Sequence, residues 1–369
     1  MRRFINIALR VLVVIGVTLL ALVMTMYLFL VKIKNGPSEA ARDLFITTIM
    51  ETGQLKFVAN IICTPEEIDR IVNANGMKDI DSDVDKSMIV IGESAKEQEP
   101  SQEAEAQQKP AEFFDANGIR VDEISGRTFM AKMMVIKDPS KVVVGSTYPW
   151  TEYGKELDKV VAEAGGIAGV NGGLYQSVKN TGGYPLGVVV QNGEITYNSP
   201  SGVNGLYMIG LNENNILIIK NLEGMSADDF TNYVATEKIR DAVAFQDEAS
   251  DADNHFVSLI INGESRQLQG QGSGANPRTA IGQRADGAIL LLVTDGRGTS
   301  GHLGATASDL IGIMQEYGAV NAANLDGGSS SSMVCNGEYL MSSVTFYYQN
   351  SSWRLPTAFV VKSAQGGEQ

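Results

Sequence analysis

The sequence has very few of the residues that build metal centres and disulfide frameworks. Its 369 residues include only two cysteines and two histidines. Cys63 and Cys335 lie far apart, without metal-site or disulfide-framework spacing, so we predict two unpaired thiols. His255 and His302 leave little room for a multi-histidine metal centre or a histidine relay. The search for a site therefore turns to carboxylates and glycine-rich turns.

Basic residues are also scarce relative to acidic ones. The chain has 29 lysines and arginines against 43 aspartates and glutamates, and a formal net charge of −14. Such a chain repels a phosphate backbone, so we expect no nucleic-acid partner. The sequence also lacks a Gly-x-x-x-x-Gly-Lys motif, which disfavours nucleotide hydrolysis.

One long stretch lacks charge altogether. Residues 1–10 contain three arginines, and Val11 to Val31 then carries no charged side chain. That length spans a bilayer, whereas a cleaved signal has an apolar region of about 7 to 15 residues. Although Lys32 and Lys34 on the far side reduce the charge asymmetry, we predict a single-pass anchor at 11–31. Residues 1–10 would be cytoplasmic and the rest extracytoplasmic, at the cell membrane.

Composition divides the remaining chain into four parts. Residues 32–78 are expected to form a juxtamembrane helical segment, in which Thr64, Pro65 and Glu67 mark a capping box. Core packing or a dimeric stalk would suit this segment. Residues 79–112 are acidic and polar, which is typical of a flexible linker. Residues 113–363 have the composition of a globular domain, and 364–369 form a tail.

The domain alternates apolar runs with turn signals. Asn192-Gly193 and Asn262-Gly263 predict hairpins, and the intervening sequence contains helical patterns. The fold class is therefore expected to be α/β or α+β, with a mixed β-sheet flanked by helices and preceded by the transmembrane helix and helical stalk.

The clearest candidate site follows the apolar run from Val320 to Leu325. Asp326 comes where this predicted strand leaves its sheet, and two glycines and four serines follow. Gly327 and Gly328 allow a tight turn and close approach of a ligand. Ser329 and its neighbours add hydrogen-bond donors. A plain tight turn is the alternative interpretation.

A similar arrangement occurs upstream. Ala288 to Val293 is apolar and leads into Asp295 and Arg297, and Thr306 to Tyr317 has helical spacing before the next strand. Strand, helix, strand is a crossover unit, which usually makes its two strands parallel with their carboxyl ends at one edge. We therefore expect Asp295 and Asp326 to face one crevice.

Two further polar turns belong to the same pattern. Asn171 and two glycines follow the apolar run from Ile167 to Val170, and Arg278 lies beside amide and hydroxyl donors. An arginine in this setting suits bidentate recognition of a phosphate or a carboxylate, with a surface ion pair as the alternative.

Four motifs, in this order, give the chain a family resemblance. They are Asn171-Gly-Gly-Leu-Tyr, Asn276-Pro-Arg-Thr-Ala-Ile-Gly, Thr294-Asp-Gly-Arg and Asn324-Leu-Asp-Gly-Gly-Ser-Ser-Ser. Over about residues 113–362 the chain resembles the phosphodiester glycosidase family (N-acetylglucosamine-1-phosphodiester alpha-N-acetylglucosaminidase-like domain). The resemblance implies an extracytoplasmic hydrolase that cleaves the bond between a sugar's anomeric carbon and a phosphate. Bacterial members are linked to envelope or exopolysaccharide metabolism.

Under this hypothesis, some residues of the polar turns act in catalysis and others bind the substrate. Asp326 would activate water or attack the anomeric carbon, and Asp295 would support it or bind a metal. No cofactor is required by the sequence, although a divalent cation could bind at these two carboxylates. The expected partner is a phosphate-linked glycan or sugar-1-phosphodiester. The predicted substrate-binding residues are Arg278, Arg297, Asn171, Gly172, Gly173, Asn276, Thr279, Gly327, Gly328 and Ser329.

Two alternative functions stay open, and one segment of the chain departs from the family's pattern. A non-catalytic envelope glycan-binding protein could use the same groups. A serine hydrolase built on Ser329 to Ser332 with His302 is disfavoured because no Gly-x-Ser-x-Gly elbow is present. Relatives usually have a Gly-Pro element where this chain has the acidic segment 246–255, which is expected to be a solvated loop or a rim that alters substrate choice.

Overall fold

The computed structural model describes residues 2–52, 55–80, 82–92, 113–246, 256–343 and 350–363. The predicted fold class is confirmed as α+β, with helices beside β-sheets and a long apolar helix at Arg2–Lys34. Most of the predicted acidic segment (247–255, with His255), the predicted tail 364–369 and residues 93–112 of the predicted linker lie outside the described residues.

The described residues contain seven α-helices, numbered here in chain order. They are α1 (Arg2–Lys34), α2 (Glu39–Met50), α3 (Lys56–Ile62), α4 (Pro65–Asn73), α5 (Leu157–Glu163), α6 (Ala227–Glu237) and α7 (Ala307–Glu316).

They also contain seventeen strands. These are β1 (Ile119–Ser125), β2 (Met130–Ile136), β3 (Val142–Ser146), β4 (Gly166–Asn171), β5 (Val188–Gln191), β6 (Glu194–Asn198), β7 (Tyr207–Asn212), β8 (Leu217–Asn221), β9 (Ile239–Phe245), β10 (Ser258–Ile261), β11 (Glu264–Ser265), β12 (Thr279–Arg284), β13 (Ile289–Thr294), β14 (Ala319–Leu325), β15 (Met333–Cys335), β16 (Glu338–Met341) and β17 (Thr357–Lys362).

The strands form three sheets. The first has the order β1-β2-β13-β12-β14-β10-β11, the second β16-β15-β4-β17-β3 and the third β6-β5-β9-β7-β8. Each pair between these named strands is antiparallel. The sequence favoured a parallel pair of β13 and β14. Instead β12 lies between them, so they run in one direction without touching and still end at one edge.

The three sheets pack around a shared apolar core. Leu291 of the first sheet, Val170 of the second and Val243 of the third are all fully buried in it. The other face of the first sheet is covered by α7, whose Leu310 and Met314 pack in a second cluster with β13. Burial on both faces explains why β13 is apolar at nearly every position.

The helices α2 to α4 form a small separate cluster at the end of α1. Residues 6–29 of α1 are exposed along their length, whereas Leu30 packs with Ile46, Ile62 and Ile71. The capping box predicted at Thr64 is present, with its hydroxyl accepting from the Glu67 amide. We call α2, α3 and α4 together the juxtamembrane module.

The chain between this module and residue 113 lies partly against the domain. The backbone amide of Val90 donates to the carbonyl of Ala285, and Ile89 is buried in the core of the third sheet. The sequence placed 79–112 in a flexible linker, but residues 79–80 and 82–92 are ordered against the sheets because they carry apolar and hydrogen-bonding groups that the domain accepts. The domain boundaries themselves stay predictions.

Replacing Ile89 by alanine should destabilise the domain. The side chain is 7% exposed, and truncating a buried isoleucine costs about 2 to 5 kcal/mol. We expect a fall of about 5 to 10 °C in the melting temperature of the full chain in detergent. Ile91→Ala, at a position that is 36% exposed, is the matched control and should change it much less. Equal effects would contradict the packing of this segment.

Candidate active site

The pairing of β12 with both its neighbours sets the geometry of the site. Thr279 is opposite Val293 on one side and Leu325 on the other. The turns that begin at Asp295 and Asp326 therefore leave the first sheet at the same edge, on either side of Arg278. Adjacent strands are about 4.8 Å apart, so the two turns start roughly 10 Å from each other. This is the edge at which the sequence placed its crevice.

Asn171, at the end of β4, ties the second sheet to this edge. Its Nδ2 donates to the carbonyl of Asp326 at 2.6 Å, and its Oδ1 accepts from the hydroxyl of Thr279 at 2.8 Å and the amide of Ser332 at 3.1 Å. Asn171 is 1% exposed. These contacts make Asn171 and Thr279 supports of the Asp326 turn, and their predicted contact with substrate stays a prediction.

The two glycines after Asn171 allow close packing of backbones. A Cβ on Gly173 would lie 2.4 Å from the carbonyl oxygen of Ala244, and one on Gly172 would lie 2.6 Å from Oγ1 of Thr357. Both glycines are buried. The small size of Gly173 is therefore needed where the second and third sheets meet, and that of Gly172 where β4 lies against β17. The predicted contact of both glycines with a ligand stays a prediction.

The turn from Asp326 to Ser329 is partly exposed and meets Arg297. The guanidinium Nη1 of Arg297 donates to Oγ of Ser329 at 2.9 Å. A Cβ on Gly328 would lie 2.7 Å from Nη2 of Arg297, and Gly328 has a φ of +61°. The left-handed backbone shape and the closeness of the cation both favour glycine at this position. Arg297, Asp326 and Ser329 thus form an accessible group at the sheet edge.

Asp295 is less accessible and is held by other partners. It is 5% exposed. One carboxylate oxygen accepts from the amide of Met130 at 2.8 Å, and the other lies 2.6 Å from Nδ1 of His302. The sequence predicts that Asp295 supports Asp326 or binds a metal, and this role stays a prediction. In the structure, Asp295 pairs with an imidazole seven residues further along the same glycine-rich loop.

His302 is the residue of this loop that sequence reasoning assigned only to the disfavoured serine hydrolase. Its side chain is 25% exposed while Asp295 is nearly covered. A carboxylate bound to one ring nitrogen fixes the tautomer and orients the other nitrogen. The only sequence signal was its place in the loop that also carries Arg297.

The carboxylates do not form a ready-made cation site. Within the described ranges, no three histidine, cysteine, aspartate or glutamate side chains converge in a way that could hold a metal ion. A cation at Asp295 would compete with His302 and the Met130 amide for its oxygens. Cation binding at Asp295 and Asp326 stays a prediction, and no step below depends on it.

Arg278 and Asn276 contact a carboxylate from the juxtamembrane module. Oε2 of Glu51 lies 2.6 Å from Nη2 of Arg278 and 3.1 Å from Nδ2 of Asn276, while Oε1 accepts from the amide of Gly274 at 2.6 Å. The Arg278 and Glu51 side chains are 5% and 9% exposed. We call the donors of Gly274, Asn276 and Arg278 the anion cradle.

The guanidinium of Arg278, the cation of the anion cradle, makes further contacts that hold it in place. The Arg278 guanidinium donates to the carbonyl of Gly274 at 3.1 Å and lies 4.8 Å from the ring centroid of Phe256. Sequence reasoning identified Arg278 as an anion-binding residue but missed Glu51, which is 227 positions away in the chain. No local pattern links the two.

Tyr175 contacts the chain directly after the turn from Asp326 to Ser329. Its hydroxyl is 3.0 Å from Oγ of Ser330 and the residue is 6% exposed. Burial, and secondarily the charge of Asp326, raise the pKa of Tyr175 well above its ordinary value. The phenol therefore stays neutral at physiological pH and acts as a hydrogen-bonding support.

Asn171→Ala should destabilise the fold and weaken any activity of this edge. It leaves two buried groups and one partly buried carbonyl without their partner, and an unsatisfied buried group costs about 1 to 3 kcal/mol. We expect a melting temperature lower by several degrees. Asn171→Asp is the control, since it keeps the acceptor for Thr279 and loses the donor to Asp326. A melting temperature unchanged by either substitution would contradict the supporting role of Asn171.

A family described as "Phosphodiester glycosidase" (NAGPA) matches residues 164–362, which is more than half of the chain. An uncharacterised SPbeta prophage-derived protein of Bacillus subtilis is 42% identical over 65 residues, 18% of this chain and 10% of that protein. The N-acetylglucosamine-1-phosphodiester alpha-N-acetylglucosaminidase of Mus musculus is 34% identical over 79 residues, 21% of this chain and 15% of the enzyme. The matches thus span less than a sixth of each relative.

One solved structure has a similar fold. It is the catalytic domain of the zebrafish N-acetylglucosamine-1-phosphodiester alpha-N-acetylglucosaminidase, described as auto-inhibited by its pro-peptide. The TM-score is 0.51 at 19% identity, and the match covers 66% of this chain and 82% of the zebrafish domain. At this identity the likeness concerns the fold.

Proposed function

Because the chain belongs to the phosphodiester glycosidase family, we propose that it hydrolyses the bond between the anomeric carbon of a sugar and a phosphate. The observation that supports this best is the accessible group of Arg297, Asp326 and Ser329 at one sheet edge. It combines the guanidinium of Arg297, which can bind a phosphate, with the carboxylate of Asp326, which can act at the anomeric carbon of the sugar. The proposed substrates are glycosyl-phosphodiesters of envelope or exopolysaccharide material.

The leaving group explains why a cation matters. In a sugar-1-phosphodiester the departing group is an acidic phosphate monoester, so bond cleavage needs less protonation than in an ordinary glycoside. Stabilising negative charge on the phosphate contributes more. Arg297 is exposed, and its guanidinium lies against the turn of Gly328 and Ser329. There the guanidinium can bind two phosphate oxygens.

Asp326 and His302 supply the remaining chemistry. Asp326 lies on the accessible turn and either attacks the anomeric carbon or activates a water molecule. Asp295 orients the imidazole of His302 through a 2.6 Å contact. His302, in the loop after Asp295, acts as a general acid or base. In this assignment Asp295 positions the imidazole of His302. This role differs from the one predicted from the sequence, in which Asp295 supports Asp326 or binds a metal.

The location proposed is the outer side of a membrane, with α1 as a retained anchor. The helix from Asn6 to Lys34 is long and apolar enough to cross a bilayer, as a signal sequence would also be. Retention is supported by the burial of Leu30 in the juxtamembrane module and by a 2.7 Å ion pair between Lys34 and Glu67. Removing α1 would uncover the apolar cluster of α2 to α4.

Asp326→Asn should abolish release of free sugar from a synthetic glycosyl-phosphodiester. The substitution keeps the size of the side chain but removes the negative charge needed for attack or for base catalysis. We expect a loss of at least about a hundredfold in kcat, measured with the full chain in detergent, with and without a chelator. The chelator arm tests the predicted cation.

Asp286→Asn is the matched control, because Asp286 lies on an exposed turn beside Arg284. It should leave turnover unchanged. Turnover retained by Asp326→Asn would remove Asp326 from the chemistry. A wild-type chain that binds the phosphodiester without hydrolysing it would favour the non-catalytic glycan-binding protein instead.

The Glu51 contact bears on how the activity is controlled. The zebrafish relative is described as auto-inhibited by its pro-peptide, and in this chain the Glu51 carboxylate occupies the anion cradle. We include in the proposal that Glu51 stands in for a substrate phosphate at Arg278. Access of the substrate to the cradle then requires the end of α2 to move away.

Glu51→Gln should lower stability and make the cradle responsive to phosphate. Removing one partner of a buried ion pair costs about 3 to 5 kcal/mol, and inorganic phosphate can replace the lost charge. We expect a lower melting temperature that phosphate restores, together with a lower KM for the phosphodiester. The exposed Glu39→Gln in the first turn of α2 is the control. A variant that melts lower, ignores phosphate and keeps its KM would make the contact purely structural.

A further inference from the structure

We infer that the outer face of α3 is a membrane-binding surface, which lies in the lipid headgroup region beside the exit of α1. The inference rests on the proposed anchoring by α1 and adds a second contact with the same bilayer. The surface, called here the α3 face, consists of Leu55, Phe57 and Ile61.

The α3 face is apolar and uncovered. Leu55, Phe57 and Ile61 are 48%, 60% and 52% exposed. Phe57 and Ile61 are four residues apart on a helix and therefore lie on one side of it. The opposite side of α3, with Ala59 and Ile62, packs in the module's own cluster. Phe57 and Ile61 on α3, with Leu55 directly before the helix, mark a surface that binds an apolar partner.

The position of α3 identifies the bilayer as that partner. The helices α1 and α3 pack against each other, and Leu30 of α1 shares a cluster with Ile62. Lys34, the last residue of α1, binds Glu67 at the start of α4. The module is thus fixed at the carboxyl end of the proposed membrane span, which places α3 next to the point where α1 would leave the bilayer.

The charges near this point suit anionic headgroups. Lys32 is exposed near the end of α1, and Lys56 begins α3 beside Phe57. Lysines at the ends of apolar helices place their ammonium groups at the headgroup level while their stems stay in lipid. An apolar stripe flanked by lysines is typical of a helix that lies in the membrane interface.

A second membrane contact would fix the orientation of the catalytic edge. The far end of α2 carries Glu51, which reaches the anion cradle. With α1 and the α3 face both in the bilayer, α2 joins the membrane surface to the cradle by a helix of 12 residues, or about 18 Å. The site would then act on glycosyl-phosphodiesters held at the membrane surface.

Depth measurement with spin labels tests the inference in the full chain. Cys63 and Cys335, the two native thiols, are replaced by alanine and serine. Nitroxides are attached at Phe57→Cys, Ile61→Cys and the control Asp69→Cys, an exposed position of α4. The protein is reconstituted in vesicles of phosphatidylcholine and phosphatidylglycerol. Accessibility to oxygen and to a water-soluble nickel complex is measured, with thermal melting as the check of folding.

We expect the labels at 57 and 61 to be several-fold more accessible to oxygen relative to nickel than the label at 69. Ratios equal to that at 69 would overturn the inference. A label at Leu20→Cys, within α1, separates the two proposals. If it is lipid-exposed while 57 and 61 are in water, only the α3 face fails; if it too is in water, the anchoring fails as well. Disulfide cross-links between chains at 57 would identify a second copy as the occupant and overturn the lipid assignment.

Discussion

Strand β12 pairs with β13 on one side and β14 on the other, and the remaining features of the site depend on that arrangement. Because Thr279 faces Val293 and Leu325 at once, the turns after both outer strands leave the sheet at the same level. Asn171, from a different sheet, then donates to the carbonyl of Asp326 and accepts from the hydroxyl of Thr279 and the amide of Ser332. A shift of one residue in either pairing would reverse the direction of every side chain along the strand.

The buried pair of Glu51 and Arg278 links this edge to the end of α2. A carboxylate and a guanidinium that are 9% and 5% exposed interact much more strongly than a surface pair, but their desolvation offsets much of the gain. In the proposed function, this pair couples the position of α2 to the occupation of the cradle by a phosphate.

The candidate residues differ in accessibility, which the sequence did not show. Arg297, Asp326 and Ser329 are exposed or partly exposed. Asn171, Gly172, Gly173 and Thr279 are buried between strands, and Arg278 and Asn276 are buried against Glu51. In the sequence all of them are polar or glycine residues at strand ends, and burial depends on which sheets meet there. The difference between a contact residue and a supporting residue is thus decided by packing between segments far apart in the chain.

The sequence alone determined the elements that depend on local physics. The long uncharged helix, the capping box at Thr64 and the apolar strands that end on Asp295 and Asp326 follow from hydropathy and turn chemistry within a few residues. Only the tertiary structure decided that β12 separates β13 from β14, that His302 binds Asp295 and that Glu51 reaches Arg278. The order of strands in a sheet and the partner of a buried charge are set by the packing of the whole domain, because many pairings satisfy the same local pattern and only one fills the common core.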